Sequence, residues 1–232
     1  MYNPIRRNKN IGTSKQGYKI NNNNKLSIPI RYDLKMFFEK IDKCITVNRT
    51  INGHDFLFIV EKTKKDYKHA CSIDDIQNII EHIPKEDYGI LKLIVLRQPK
   101  KKEEIISPAW GRWVPFFGKE REPAIILEAL NYKNNVLKWP KKLSPEGQKE
   151  IDRLITDGHK IINDGRNYLI HYDLNSVRNT QLFRTIPHEF GHHVHYFNFI
   201  DSKGSDDQWY SVPKFEKEKF AHSYAEKITI NM

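Results

Sequence analysis

The chain has 232 residues, 38% of them apolar, and a formal net charge of +10, enough for one sizeable core or one core plus a small appended element. Nowhere do eighteen apolar residues run together, and no apolar run follows the early arginines, which excludes a helical membrane span and a cleaved signal peptide from the expectations. The expected address is therefore cytoplasmic, with signal-independent export and the oligomeric state left open.

The first 25 residues hold six Lys or Arg, no acid and an Asn run. Such a segment buries too little apolar surface to offset its ordering entropy, and residues 1–25 read as a disordered basic tail. The charge of that tail suits weak, nonspecific contact with nucleic acid or with an anionic membrane surface, or else marks a solvated terminus. Residues 26–232 then carry only about +4 and form the single folded domain. Its two cysteines, Cys44 and Cys71, lack any CxxC spacing and read as buried small hydrophobes, not as a disulfide framework or zinc knuckle.

Along the domain, residues 26–32 are strand-like, residues 33–45 space Leu34, Phe37, Phe38 and Ile41 as a helix would, and HDFLFIVEK suits a strand. Ser72 and Asp75 have capping-box spacing before a helix that Pro84 stops. YGILKLIVLRQP reads as a buried strand. The aromatic, Gly- and Pro-punctuated stretch with Trp110, Trp113, Phe116 and Phe117 reads as a loop feeding a strand at residues 124–130. That cluster is a satellite core under the loop, or else the lining of a cleft. Ser144 and Pro145 announce a helix, and an Asn-Asp-Gly turn then joins two strands. The fold class is α+β with a mixed, twisted sheet.

The segment TIPHEFGHHVHYF, residues 185–197, carries four of the ten histidines. On a helix His188 and His192 stand one turn apart on one face, close enough to hold one ion, and Glu189 beside the first can reach a water on that ion. This is the HExxH pattern of a catalytic zinc, whose general base is that glutamate. Five residues recur by chance, so context must add the rest. Phe190, Val194 and Phe197 supply an apolar face, with Thr185 as candidate N-cap and Pro187 in the first turn; a helix starting near Arg178 would instead be kinked at Pro187. A third histidine six residues after His192 is absent, since Asn198 stands there. Downstream, EKFAHSYAEKI puts Glu218, Ala221, His222 and Ala225 on one helical face, with alanines small enough for close packing on the first helix. Glu218 is the candidate third ligand, with Glu226 and Glu216 as substitutes. His195 lies on the face of the pair but a further turn along, in a packing or indirect role, and His193 points elsewhere.

HEFGH followed by ExxAxxYA resembles the glutamate-zincin metallopeptidases. HEFGHHV and EKFAHSYA are particularly similar to the catalytic domain of the anthrax lethal factor family, and more loosely to small ImmA/IrrE-type zincins. The resemblance spans residues 188–225. It implies a zincin-like fold in which an HExxH active-site helix packs on a C-terminal helix carrying the third ligand. It also implies one Zn2+ per chain on His188, His192 and Glu218, with Glu189 as general base. His222 stands where the class often has an acid that orients a ligand histidine. Tyr210, and after it Tyr224, are the candidates for an oxyanion-stabilising tyrosine.

The expected function is hydrolysis of peptide bonds in a protein or peptide substrate laid along an edge strand, with residues 124–130 or 167–172 as that strand. Two competing readings are a nucleic-acid-associated regulator using the tail, and a closed structural zinc site with His195 or His222 as fourth ligand. A closed site has no water for Glu189 to activate, which argues against the last.

Overall fold

The computed structural model describes residues 11–13, 16–17, 39–100, 109–203 and 205–230. It divides the chain into two units, Met1–Leu34 and Lys35–Met232. In the first, Ile11–Thr13 and Gln16–Gly17 pair in parallel. The rest of the stretch expected as a disordered tail, and the strand expected at 26–32, lie outside the described residues, as does most of the helix expected over 33–45. The described end of that helix departs from the expectation, because from Cys44 onward the chain is strand.

The second unit is α+β and its main sheet is mixed. Strands β1 (Cys44–Ile51) and β2 (His54–Glu61) form a hairpin whose two-residue turn places Asn52 and Gly53 at positive φ, the geometry that matches strand twist. Helix α1 (Ile73–Glu81) then crosses over to β3 (Leu93–Arg97), which runs parallel to β2. The Ser72–Asp75 capping box closes the start of α1 as its spacing predicts. Two further strands, β4 (Gly111–Phe117) and β5 (Glu122–Glu128), complete the order β1-β2-β3-β5-β4, with β5 parallel to β3 and β4 antiparallel to β5.

Strand β4 is the main departure from the sequence reading, which made this aromatic stretch a loop. Its glycine, proline and three aromatics give no clean alternation, and Pro115 is tolerated because, among the described residues, β4 has a neighbour on one side only. The expected substrate strand at 124–130 corresponds to β5, which lies inside the sheet between β3 and β4 and offers no open edge. The other expected edge, at 167–172, is also interior. Strands β6 (Val136–Pro140), β7 (Lys160–Asn163) and β8 (Asn167–His171) form a second, antiparallel sheet with β8 in the middle. Helix α2 (Pro145–Thr156), capped by Ser144, packs Ile151 and Leu154 against Ile170 of this sheet.

Both faces of β3 are buried. Ile94 and Leu96 join Phe56, Phe58, Ile125 and Leu127 under the helices, while Leu93 and Val95 join Val114, Ala124 and Ile126 on the other face. Each such aliphatic or aromatic side chain contributes about 1.5–3 kcal/mol on full burial. The helices over the first face are α1 and a long run composed of α3 (Leu174–Thr180), a π-helical turn (Gln181–Thr185) and α4 (Ile186–Lys203). After the short α5 (Asp206–Ser211), α6 (Lys214–Ile230) packs on α4. Among the described residues no helix is long and apolar enough to cross a membrane. Cys71 is buried, as read from the sequence, but Cys44 is exposed, because the outward face of the edge strand β1 carries it.

A two-pronged ion pair anchors the long helical run to α1. Arg178 Nη2 and Nε lie 2.5 and 3.2 Å from the two oxygens of Asp75, the bidentate fork that guanidinium geometry favours. That guanidinium holds the Asp75 carboxyl down at about 2, against about 3.9 in an unfolded chain. A depressed carboxyl contributes stability that is complete above the unfolded value and is lost as pH falls through the folded one. Melting temperature should therefore decline between about pH 4 and pH 2, and Asp75→Asn should flatten that part of the profile while lowering the plateau near neutrality.

Candidate metal centre

The helix that carries the histidine cluster starts well before Thr185. Asp173 caps α3, its side chain accepting from the Ser176 N–H while the Ser176 hydroxyl accepts from the Asp173 N–H. Pro187 does not start the helix: the helical run continues through it from the π turn into α4. The preceding turn widens to the π form, in which Ile186 N–H bonds back to Gln181 O, and so accommodates the donor that proline lacks. Gln181 clamps this turn to the sheet, because its Nε2 donates to Trp110 O at 2.8 Å and to Glu128 O at 2.9 Å, at the ends of β4 and β5. Gly111 lets β4 come close: a Cβ there would stand 2.6 Å from Thr185 Cγ2 and 2.8 Å from Ile126 O.

On α4, His188 and His192 are one turn apart with ring centroids 4.6 Å from each other and planes at 90°. Glu218 of α6 reaches both, its Oε2 being 3.3 Å from His188 Nε2 and 3.8 Å from His192 Nε2. Among the described residues these three are the group whose donor atoms, all within 4.8 Å of one another, could hold a metal ion. Ligands ~2.0–2.1 Å from a tetrahedral zinc stand ~3.3 Å apart, so the two imidazoles and the carboxylate fit that ion with little movement. Burial, and then the charge of His188, lower the pKa of His192, which keeps its ring neutral near pH 7 as metal binding requires. The His188 ring beside Glu218 holds that carboxyl well below the usual range. Neither substitute acid competes: Glu226 pairs with Arg153 at 3.1 Å, and Glu216 is exposed on α6 outside the group.

Glu189 is buried beside this group, only 8% exposed. Burial pushes its carboxyl up, against the pull of His188 and of a hydrogen bond from the Trp113 main chain, in which Trp113 N–H donates to Glu189 Oε2 at 2.6 Å. The phase of the β4–β5 ladder explains why that N–H is available. Glu128 N–H bonds to Trp110 O, so with the recorded register Arg112 and Val114 turn their polar groups to β5 while Gly111 and Trp113 turn theirs outward. Nothing in the sequence signals this contact, which depends on the register of a strand read as a loop.

The other candidates are distributed differently. His222 lines the same cleft and brings its ring to 4.6 Å from that of His188. His195 stacks on Phe220 at 4.3 Å and meets the edge of Trp209 at 4.9 Å, a packing role away from the ligand group. His193 is buried and bonds through Nε2 to Tyr88 O at 3.0 Å. Neither tyrosine reaches the cleft: Tyr210 is 62% exposed on α5, and the Tyr224 hydroxyl donates to Asp87 at 2.8 Å. The cleft itself has a volume of about 1280 Å³ and is walled by α2 and β6 on one side and α6 on the other, with Trp110, Trp139, Phe183 and Phe215 on its surface. Arg184, paired with Asp157 at 2.7 Å and with Glu150, ties the π turn to the α2 wall. Of the aromatic stretch, Trp110 lines the cleft and Phe117 is core, so both readings of that cluster apply, to different residues.

No family model matches the sequence, and no curated protein or solved structure matches the chain.

The approach of α4 to α6 depends on Gly191. A Cβ at this position would stand 2.8 Å from Ala221 Cα and 3.0 Å from Ala221 O, so the helices touch backbone to backbone at the residue just before His192, less than one turn beyond His188. Glycine to alanine ordinarily stabilises a helix interior by about 1 kcal/mol, whereas overpacking costs about 1–3 kcal/mol. Gly191→Ala should thus lower the melting temperature and weaken zinc binding together, as thermal melts and competition with a chromophoric chelator will register. Asp201→Ala, exposed near the far end of α4 and outside the cleft, should change neither.

Proposed function

We propose that the protein is a zinc-dependent metallopeptidase of the glutamate-zincin kind, with His188, His192 and Glu218 as ligands and Glu189 as general base. The observation that carries this reading is the convergence of two imidazoles and one carboxylate from two helices beside a separate, buried carboxylate that is free of ligand duty. A three-residue N, N, O set suits a zinc with one open position. His195 stacks on Phe220 and His222 is not among the converging donor atoms, which favours an open site over a closed structural one.

Zinc bound there would supply Lewis acidity, acidifying a water and polarising a peptide carbonyl. Glu189 takes the proton of the attacking water and passes it to the leaving amine. Its burial raises its affinity for that proton, which suits a group that must hold a proton briefly. The peptide lies along β4, which among the described residues has an unpaired edge beside Glu189, where Gly111 presents an outward N–H and C=O on the cleft wall. His222, next to His188, is placed to act on the peptide carbonyl or on the ligand ring. Neither Tyr210 nor Tyr224 has that access.

Purified without chelator, the protein should carry close to one zinc per chain and cleave a mixed peptide library. In Glu189→Ala, zinc content should persist while turnover falls by about 10²–10⁴-fold, the usual contribution of a general base. In Glu218→Ala, zinc should be lost on dialysis. Absence of zinc from the wild type after reconstitution would reject the metal centre, and unaltered turnover in Glu189→Ala would reject the mechanism.

A further inference from the structure

Three features of β4 belong together. Its register leaves the N–H of Gly111 and of Trp113 pointing away from the sheet. The second of these donates to Glu189 Oε2 at 2.6 Å, a short, charge-assisted bond when the carboxyl is ionised. Beyond Val114 the ladder shifts register, and the next residue but one after Trp113 is Pro115, which has no N–H. The strand thus presents one donor to the carboxylate, at the point where β4 passes the first turn of α4. Gln181 and Gly111 hold strand and helix in contact just upstream.

We propose that the main-chain N–H of Trp113 is the positioning group of Glu189: it binds Oε2, fixes the rotation of the carboxylate and leaves Oε1 as the oxygen that faces the cleft and takes the proton. The sheet edge, and not a second side chain, therefore orients the base. The contact itself does not require the peptidase reading. Its consequence for turnover does rest on it. A mis-set base costs on the order of 10²-fold in rate when reacting atoms shift by about 1 Å.

Amide hydrogen exchange tests the contact without any activity. In 15N-labelled protein, with and without zinc, the Trp113 amide should exchange at least tenfold faster in Glu189→Ala than in the wild type, with Glu189→Gln, which keeps an acceptor oxygen, in between. Equal exchange in the wild type and Glu189→Ala overturns the proposal. Kinetics then test the consequence through Trp113→Pro and Trp113→Ala. Both lose the indole, only the first loses the N–H, and at this phase of the ladder proline removes no bond to β5. At equal zinc content the proline variant should have a kcat at least tenfold below that of the alanine variant, with KM within about threefold, as expected for a group that orients the base without binding substrate. Equal kcat in the two overturns the positioning role. If the wild type cleaves nothing, the peptidase reading fails and amide exchange still decides the contact. If the proline variant does not fold, exchange decides it as well.

Discussion

The contact between Gly191 and Ala221 sets the geometry on which the candidate site depends. Two helices that meet through a glycine and an alanine come close enough for a glutamate on one to span to two histidines on the other, and a single added methyl would stand 2.8 Å from backbone. Separation of the axes by even an ångström would leave Glu218 short of His192, already its more distant neighbour at 3.8 Å. Close-packed interiors do not absorb such shifts, since side chains there have few alternative positions. The flanking residues hold the contact in place: Phe190 and Ile228 are buried in the main core from opposite helices, and Tyr224 ties α6 to Asp87 on the connection that leads into β3.

The second determinant is the orientation of α4 relative to the sheet. Because α3, the π turn and α4 are continuous, the bond between Arg178 and Asp75, the two hydrogen bonds of Gln181 and the pairing of Arg184 with Asp157 all act on one long element. The π turn absorbs Pro187 just before the first histidine. A turn of this kind costs hydrogen-bond geometry, and its frequent occurrence at functional sites reflects the re-aiming of side chains that it permits. Here it aims His188 and Glu189 past the open edge of β4 and into the cleft. Function, in the reading proposed, follows from three elements brought to one place: a helix with the base and two ligands, a second helix with the third ligand, and a strand edge with the N–H that holds the base.

The sequence by itself determined the local features. The Ser72–Asp75 capping box and the Ser144–Pro145 helix start are written in neighbouring residues, and so are the Asn-Asp-Gly turn and the apolar run of β3. The one-turn spacing of His188 and His192 is equally local, because helical geometry converts a four-residue separation into a shared face. Glu218 was legible at one remove, through small residues at helical spacing that promised a close-packed partner. The tertiary structure decided everything that depends on non-local register. It made a strand of the stretch around Trp113, turned the expected substrate strands into interior ones, sent Tyr224 to Asp87 and His195 to Phe220, and extended the histidine-bearing helical run back to its cap at Asp173. The physical reason is the same in each case. Strand pairing and aromatic packing draw their free energy from partners dozens of residues away, whereas a helix cap or a turn is closed by neighbours within four positions.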